Sequence, residues 1–560
     1  MKIVIVGGVA GGASAAARLR RLDEKAEIIM LERGSYISYA NCGLPYYVGG
    51  EITQRSALVL QTPESFATRF HIDVRVRHEA LSIDRVRKQV QVRDIDGGRI
   101  YEETYDKLLL SPGAAPLHPN IPGIRDEGIA SRIFTLRTIP DTFRIREYIE
   151  EKRPRTALVV GGGYIGLEMA ENLVSAGLQV TVAEAADHVI GPLDYDMATE
   201  VHRYLRAKGI TLCLSNGVKA FRMGADGIEV ELSHGSVQAD MVLMSIGVRP
   251  ESSLAKEAGL AVSSKGTIIV DETLRTSDPD IFAVGDAIQV RNFVTGDMGY
   301  FPLAGPANKQ GRIAADNIAG LSKTYKGTQG SAILKLFDMT VATTGLNEQA
   351  AKQAAIAYDK LFLSPASHAT YYPGTSALSM KVLFEQVTGR ILGAQIIGFE
   401  GVDKRIDVLA AAIRSNATAR DLAEWELSYA PPYSSAKDPV NMAGFAIENL
   451  LDGLVKQYHW HDVANLPTDG SITLLDTRTN AEYLSGHMPN AVHIPLDSLR
   501  QRLAELDPKK PVYVYCHSGL RSYLACRILT QNGFDCAHLS GGYRLYASVM
   551  EQTCAGCCPV

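Results

Sequence analysis

No apolar run in this chain approaches the roughly 20 residues that a membrane-spanning helix needs, so no bilayer partner is expected. Positive charge is not in excess either: 57 Lys and Arg face 62 Asp and Glu, a formal net charge of −5. That balance argues against general nucleic-acid binding and against a basic membrane patch. The N-terminus "MKIVIVGG" enters a strand-like segment without a cleavable signal pattern, which makes the cytoplasm the expected location. Low-complexity tracts and short-period repeats are also missing. The eight cysteines (42, 213, 516, 526, 536, 554, 557, 558) are scattered and do not read as a disulfide framework. Any reactive ones are therefore expected to be catalytic or redox-active. At 560 residues the chain exceeds one core, and its length suggests roughly three or four domains.

Two segments share one plan. "KIVIVGGVAGGASAAARLRRL" is an apolar strand, a glycine turn and an Ala-rich helix, and "RTALVVGGGYIGLEMAENLVSAG" repeats it from Arg155. Each continues into a second strand ending in an acid, Glu32 and Glu184, which lie 20 and 18 residues past Gly12 and Gly166. This is the dinucleotide-binding fingerprint: backbone N–H groups at a helix N-terminus hold pyrophosphate, and the acid holds a ribose hydroxyl. The second copy has Gly161, Gly163 and Gly166 in place, whereas the first carries Val9 where the middle glycine is expected. Two such sites in one chain suggest a flavin beside a nicotinamide. Glu184 leans towards NADH, with NADPH possible, because a carboxylate repels the 2′-phosphate.

After residue 325 strands and helices mix, up to "ELSYAPPYSSAKDPVNMAG". A helix-like stretch, "FAIENLLDGLVKQYHWHD", then leads into a last hundred residues that alternate strand and helix as a small separate α/β domain.

Further markers are "YDKLLLSPGAAP", "MVLMSIGVRP" and "TSDPDIFAVGD". With these, the first 445 or so residues resemble a pyridine nucleotide–disulfide oxidoreductase. Within that superfamily "SYANCGLPYY", "HATYYPG" and "ELSYAPPYSSAKDPVNMAG" resemble the coenzyme A-disulfide reductases, and the tail resembles a rhodanese. The combination is similar to the fused coenzyme A-disulfide reductase–rhodanese flavoproteins, which include NADH-dependent persulfide reductases.

The resemblance implies an α/β chain with two Rossmann-like domains, for FAD and NAD(P)H, an α+β dimerisation domain and a C-terminal rhodanese domain. The expected divisions are 1–150 and 246–325 for FAD, 151–245 for NAD(P)H, 326–446 for dimerisation, 447–465 as linker, 466–552 as rhodanese and 553–560 as a Cys-rich tail. FAD would lie on Gly7, Val9, Ala10, Gly11, Gly12, Glu32 and Arg33, with Asp286 on the ribityl chain and "PANKQGR" beside the ring system. Ser111, Gly113, Gly247, Gly285, Pro302, Ala304 and Ala307 complete the implied cofactor-binding set. The protein would be a homodimer whose Tyr371 and Tyr429 reach into the partner's site. Tyr372 and Tyr433 are near alternatives.

Glutathione reductase-type relatives place a CxxxxC pair beside the flavin, but here the fifth residue after Cys42 is Tyr47. The Cys42 thiolate must complete its redox couple with something brought to it. A substrate thiol would give a mixed disulfide or persulfide, and peroxide would give a sulfenic acid. The second route is the alternative function, an NADH oxidase or peroxidase. Those relatives usually carry His in the glycine loop where this chain has Ala10, which favours sulfur. A helix N-terminus beside Cys42 is expected to lower the thiol pKa.

Ser14, Arg18 and Arg21 fall at i, i+4 and i+7 on one helical face, and guanidinium groups bind phosphates through paired N–H donors. A solvated basic face is the bland alternative. The resemblance assigns coenzyme A to Ser14, Arg18, Arg21, Ser38, Asn41, Asn308 and Lys437. The expected substrates are coenzyme A disulfide, coenzyme A persulfide or polysulfide.

In the tail, "CHSGLR" places Cys516 and Arg521 at the ends of a six-residue loop between a strand and a helix. Successive N–H groups there form an anion-binding nest, and with Arg521 they are expected to lower a thiol pKa and cradle sulfane sulfur. Cys554, Cys557 and Cys558 in "CAGCCP" suggest a metal or sulfur relay no more than a plain tail, and no metal is expected.

Overall fold

The computed structural model describes residues 1–224 and 227–554, with side chains as far as 551, so the terminal cysteines lie outside the described side chains. The described residues divide into two compact units, 1–186 with 209–330, and 187–208 with the residues from 331 onward. Residues 187–208 thus pack with the second unit, although the sequence reads them as part of the nucleotide-binding stretch. Among the described residues no helix is long and apolar enough to cross a membrane.

The first unit is built on two parallel five-stranded sheets of matching design. One orders Ile281–Ala283, Lys107–Leu110, Lys2–Val6, Glu27–Glu32 and Asp73–Val76. The other orders Thr211–Cys213, Gln179–Ala183, Thr156–Val160, Met241–Met244 and Ile133–Phe134. "KIVIV" and "TALVV" are near-continuous apolar runs because strands covered on both faces have no polar side to show. In each copy the first strand pairs with the second, Lys2 opposite Glu27 and Thr156 opposite Gln179, and the second strand ends on Glu32 in one copy and just before Glu184 in the other. The glycine loops therefore fall at carboxyl strand ends, where open parallel sheets take their ligands. The unit also has two antiparallel three-stranded sheets, within 78–104 and 218–239, and two short two-stranded ones, Ala114–Pro116 with Val248–Pro250 and Val290–Arg291 with Met298–Gly299.

The second unit carries an antiparallel sheet in the order Ala332–Leu336, Met339–Gly345, Ile391–Gly398, Ser379–Glu385 and Tyr358–Leu363. It also carries a parallel sheet in the order Lys456–Tyr458, Cys536–Leu539, Val512–Tyr515, Thr473–Asp476 and Val492–His493. The helix entering this region runs Pro439–Leu451 and stops there; Lys456–Tyr458 of the expected linker forms a strand of the parallel sheet.

Charge as well as apolar packing holds this unit together. Lys381 is fully buried on the antiparallel sheet, and its ammonium sits 2.9, 2.8 and 2.6 Å from Asp194, Asp196 and Glu348. Lys360 adds a 2.7 Å pair to Glu348, and the Trp460 indole N–H donates to Asp196 at 3.1 Å. The three carboxylates are close enough together to ligate a metal, but the ammonium already binds all three. Burial works against a charged Glu348; even so, Lys381 and Lys360 hold its carboxyl below the usual carboxylate range.

Replacing Lys381 with Met leaves Asp194 and Asp196 without their cation and Glu348 with Lys360 alone. We expect a loss of about 3–5 kcal/mol, the scale for breaking a buried pair, read as a lower denaturant midpoint. Because Glu348 has a lowered pKa when folded, its contribution is present above the ordinary carboxylate pKa of about 4.3 and is lost as pH falls below it. An unshifted midpoint for the Lys381→Met protein would overturn the assignment.

Candidate active site

Cys42 sits in a single 3-10 turn, Asn41–Gly43, followed by the five-residue helix Leu44–Val48 with Pro45 in its first turn. The residue is exposed. The expected pKa lowering is not found. Partial burial, then the Glu168 carboxylate, push the thiol up; Arg137 opposes them and Asp286 adds to the rise. A five-residue helix offers little dipole to set against burial and the Glu168 carboxylate.

Glu168 was not singled out by sequence reasoning, which spent "GYIGLEMAENL" on the nucleotide loop. It stands on the helix Tyr164–Ser175, whose packing against Leu44–Val48 brings it within electrostatic reach of Cys42. Burial, then Glu171, raise its carboxyl to about 7, tempered by a hydrogen bond with Tyr46. Burial and Glu168 in turn push the Tyr46 phenol up to about 12. A half-buried acid in an apolar helix face was the only available signal.

The first glycine loop is shaped for close backbone approach. Gly7 has φ +96°, and a methyl group on Gly12 would lie 1.9 Å from the Gly7 carbonyl oxygen. Val9 has φ −100°, so this position does not require the left-handed backbone that would demand glycine. The helix Ala10–Leu22 has no side-chain cap and no acid in its first turn, leaving its N–H groups open to an anion. Glu32 accepts from the N–H groups of Gly8 and Gly34 at 2.9 and 2.7 Å. Ser111 and Ala307 lie against Gly11, and the same two residues flank Gly285. Gly113 faces Arg137, which donates to Asp286 at 3.0 Å, so Asp286 is ion-paired. Arg33 pairs with Glu251 at 2.7 Å. Pro302 and Ala304 are exposed at the uncapped start of the helix Ala304–Ile318. The Tyr300 hydroxyl, within electrostatic reach of Asp286, is buried with no hydrogen-bond partner. These features fit a bound dinucleotide.

The second loop repeats them. Gly161 has φ +105°, a methyl on Gly166 would lie 2.0 Å from its carbonyl oxygen, and Gly163 precedes a helix with no side-chain cap. Glu184 accepts from Gly162 and Ala186 at 2.6 and 2.8 Å. Ser245, whose carbonyl adjoins Gly161, has a buried hydroxyl without a partner, and Gly247 follows two residues on. A second nucleotide fits here.

Ser14, Arg18, Arg21, Ser38 and Asn308 line one cleft of 390 Å³. Gln61 and Arg312, which the sequence did not single out, line it too. Ser14 donates to Asn308, and Arg18 pairs with Asp316 at 2.7 Å, which compensates part of its charge. Asn41 is not on the cleft wall, but its buried Oδ1 lacks a partner. Lys437 is exposed and belongs to the other unit.

In the second unit the Tyr371 and Tyr429 hydroxyls meet at 2.7 Å although both rings are exposed, at 74% and 47%. Tyr372 instead lies edge-on to His368. Cys516 is buried at the end of the strand Val512–Tyr515 and accepts from the Gly519 N–H at 3.1 Å on Sγ, as a nest would provide. Arg521 does not face the sulfur unpaired: both its Nη groups donate to Glu482, at 2.7 and 2.6 Å.

The chain belongs to the pyridine nucleotide-disulphide oxidoreductase family, which it matches over residues 1–311, with the family's dimerisation domain at 331–439 and a rhodanese-like domain at 459–548. It is thus of the flavoprotein disulfide reductase class, for which FAD and NAD(P)H are the implied cofactors. It is 36% identical to a coenzyme A disulfide reductase of Staphylococcus epidermidis, over 79% of this chain and 99% of that protein. Among solved structures it is similar to the reduced Bacillus anthracis CoADR-RHD, with 49% identity, 98% of both chains covered and a TM-score of 0.95. It is also similar to a NAD-dependent persulfide reductase from A. fulgidus, with 37% identity, 98% and 100% covered and a TM-score of 0.90.

If Glu168 raises the Cys42 pKa, Glu168→Gln should lower it, but only where the carboxyl is ionised. At pH 8, above the value of about 7, iodoacetamide should alkylate Cys42 several-fold faster in the variant. At pH 6 the two proteins should react alike. Equal rates at both pH values would remove Glu168 from the site.

Proposed function

We propose that this protein reduces coenzyme A disulfide, coenzyme A persulfide or polysulfide with electrons from NADH or NADPH, and that Cys42 is the only thiol in the reductive step. The observation that carries this reading is an exposed Cys42 with Tyr47 in place of a local partner, four residues along the chain from Ser38 of the arginine-lined cleft. Arg21 and Arg312, with Arg18 partly compensated, suit the phosphates of a coenzyme A thiol; Ser14, Asn308 and the unpartnered Asn41 carbonyl suit its polar groups.

Bound FAD and NAD(P)H supply an electron pair. Cys42 thiolate attacks the outer sulfur of a persulfide, the donor S–S bond breaks, and coenzyme A leaves as thiol while the sulfur stays on Cys42. Two electrons and protons then release hydrogen sulfide and restore the thiol. With a disulfide the intermediate is a mixed disulfide, and two thiols result. Tyr371 and Tyr429, supplied by the partner subunit of a homodimer, protonate the departing sulfur. Glu168 holds or yields a proton near Cys42, and Glu184 favours NADH over NADPH. Cys516 carries sulfane sulfur, with coenzyme A as the shuttle to Cys42.

Cys42→Ser should keep its flavin absorbance and lose sulfur reduction; undiminished turnover would refute the assignment. Steady-state rates with NADH across disulfide, persulfide, polysulfide, peroxide and oxygen identify the acceptor, and faster turnover with oxygen or peroxide would establish the oxidase or peroxidase reading instead. Cys516→Ser should lose sulfurtransferase activity while NADH-driven reduction of added coenzyme A persulfide largely survives. Loss of both in equal measure would contradict two semi-independent sites.

A further inference from the structure

The loop at Cys516 is surrounded by guanidinium groups, yet none of those acting on it is left uncompensated. Three arginines, Arg544, Arg521 and Arg478, act electrostatically on His517 inside the loop. Each is bound by its own carboxylate: Arg478 to Asp476 at 2.7 Å, Arg521 to Glu482 at 2.6 Å, and Arg544 to Glu200 at 3.3 Å. Burial lowers the His517 pKa, so its ring adds no positive charge at neutral pH. The nest of backbone N–H groups is thus the loop's main uncompensated attraction for an anion.

Glu482 is the member of this set that closes on the loop. Its carboxylate takes both Arg521 donors, lies 3.9 Å from His517, and accepts from the Thr479 N–H and hydroxyl at 2.8 and 2.9 Å as part of a helix cap. Arg521, against some burial, draws its pKa down to about 2, with the cap helping, so it remains an anion throughout the neutral range. A substrate cannot claim Arg521 without displacing a bidentate partner that is itself anchored. Beside it, Leu520 of the loop is 66% exposed, and Leu524, one helical turn on, is 42% exposed. This apolar pair suits the carbon arm of a thiol and offers nothing to a small inorganic anion.

We propose that Glu482 sets the sulfur-donor preference of Cys516, selecting a persulfide borne on a thiol over dianionic thiosulfate. The proposal rests on the reading of Cys516 as a sulfur carrier and adds its donor class. Cys516 thiolate attacks the outer sulfur of R–S–SH, the donor S–S bond breaks, and RS⁻ leaves and takes the proton. The sulfur held on Cys516 then passes to a nucleophile, and no net oxidation occurs. Thiosulfate would instead bring two negative charges towards a carboxylate that already holds the only arginine of the loop.

The test uses the full-length enzyme without nicotinamide, cyanide as acceptor and thiocyanate as readout, with glutathione persulfide or thiosulfate as donor and Cys516→Ser as blank. The native enzyme should favour the persulfide by about 100-fold in kcat/KM, and Glu482→Gln should lower the thiosulfate KM by about tenfold with little change in kcat. The persulfide parameters should move much less, and Glu482→Asp should restore the native preference. Should the Gln variant not fold, the native enzyme still decides: its thiosulfate kcat/KM should be nearly flat as salt is raised, because the loop is neutral. A steep fall with salt, equal use of both donors, or parallel loss of both in Glu482→Gln would overturn the proposal. Sulfur transfer that survives in Cys516→Ser would instead refute the carrier reading beneath it.

Discussion

A methyl group on Gly12 would lie 1.9 Å from the Gly7 carbonyl oxygen, and one on Gly166 would lie 2.0 Å from that of Gly161. In both loops the helix starts so close to the end of its strand that no side chain fits between them. That closeness turns the uncapped helix N-termini towards the carboxyl strand ends and sets Glu32 and Glu184 against the loop N–H groups. From the same frame the helix carrying Gly166 goes on to deliver Glu168 to the neighbourhood of Cys42. Backbone contact at two glycines thus underlies the nucleotide sites and part of the thiol's electrostatics.

The protein handles charge in two ways. Where cations are buried or enclosed they are neutralised, as Lys381 is by three carboxylates, Arg478 by Asp476 and Arg521 by Glu482. Desolvation leaves an enclosed cation little alternative. On the cleft that Ser14 and Ser38 line, Arg21 and Arg312 form part of an open wall, and only Arg18 is drawn into a pair with Asp316. The first arrangement stabilises the fold and tunes the Cys516 loop. The second leaves positive charge available to a phosphate-bearing substrate. The Cys516 loop and the arginine-lined cleft therefore present different faces to anions.

Much of this was legible in the sequence because it is local. A strand, a glycine turn, a helix and a second strand ending in an acid lie within about 30 residues, and each step follows from chain geometry and burial. The i, i+4, i+7 set of Ser14, Arg18 and Arg21 was likewise readable, since a helix places them on one face. Glu168 was hidden because its effect on Cys42 depends on two helices meeting, Leu44–Val48 and Tyr164–Ser175, far apart in the chain. The pKa expectation for Cys42 failed for that reason: the local dipole was visible, whereas the burial of the thiol and the distant carboxylates were not. Arg521 looked like an unpaired cation in "CHSGLR" because Glu482 stands 39 residues away.

By itself, the order of residues determined the duplicated nucleotide-binding plan, the single cysteine of the first unit's thiol motif and the separate C-terminal α/β domain, since hydrophobic period, glycine placement and strand–helix alternation act over short stretches of chain. Tertiary structure alone decided which charges meet: Arg18 with Asp316, Lys381 with its three carboxylates, Arg521 with Glu482, and Glu168 with Cys42. Coulomb energy and desolvation depend on distance through space and on burial, and neither quantity is written along the chain.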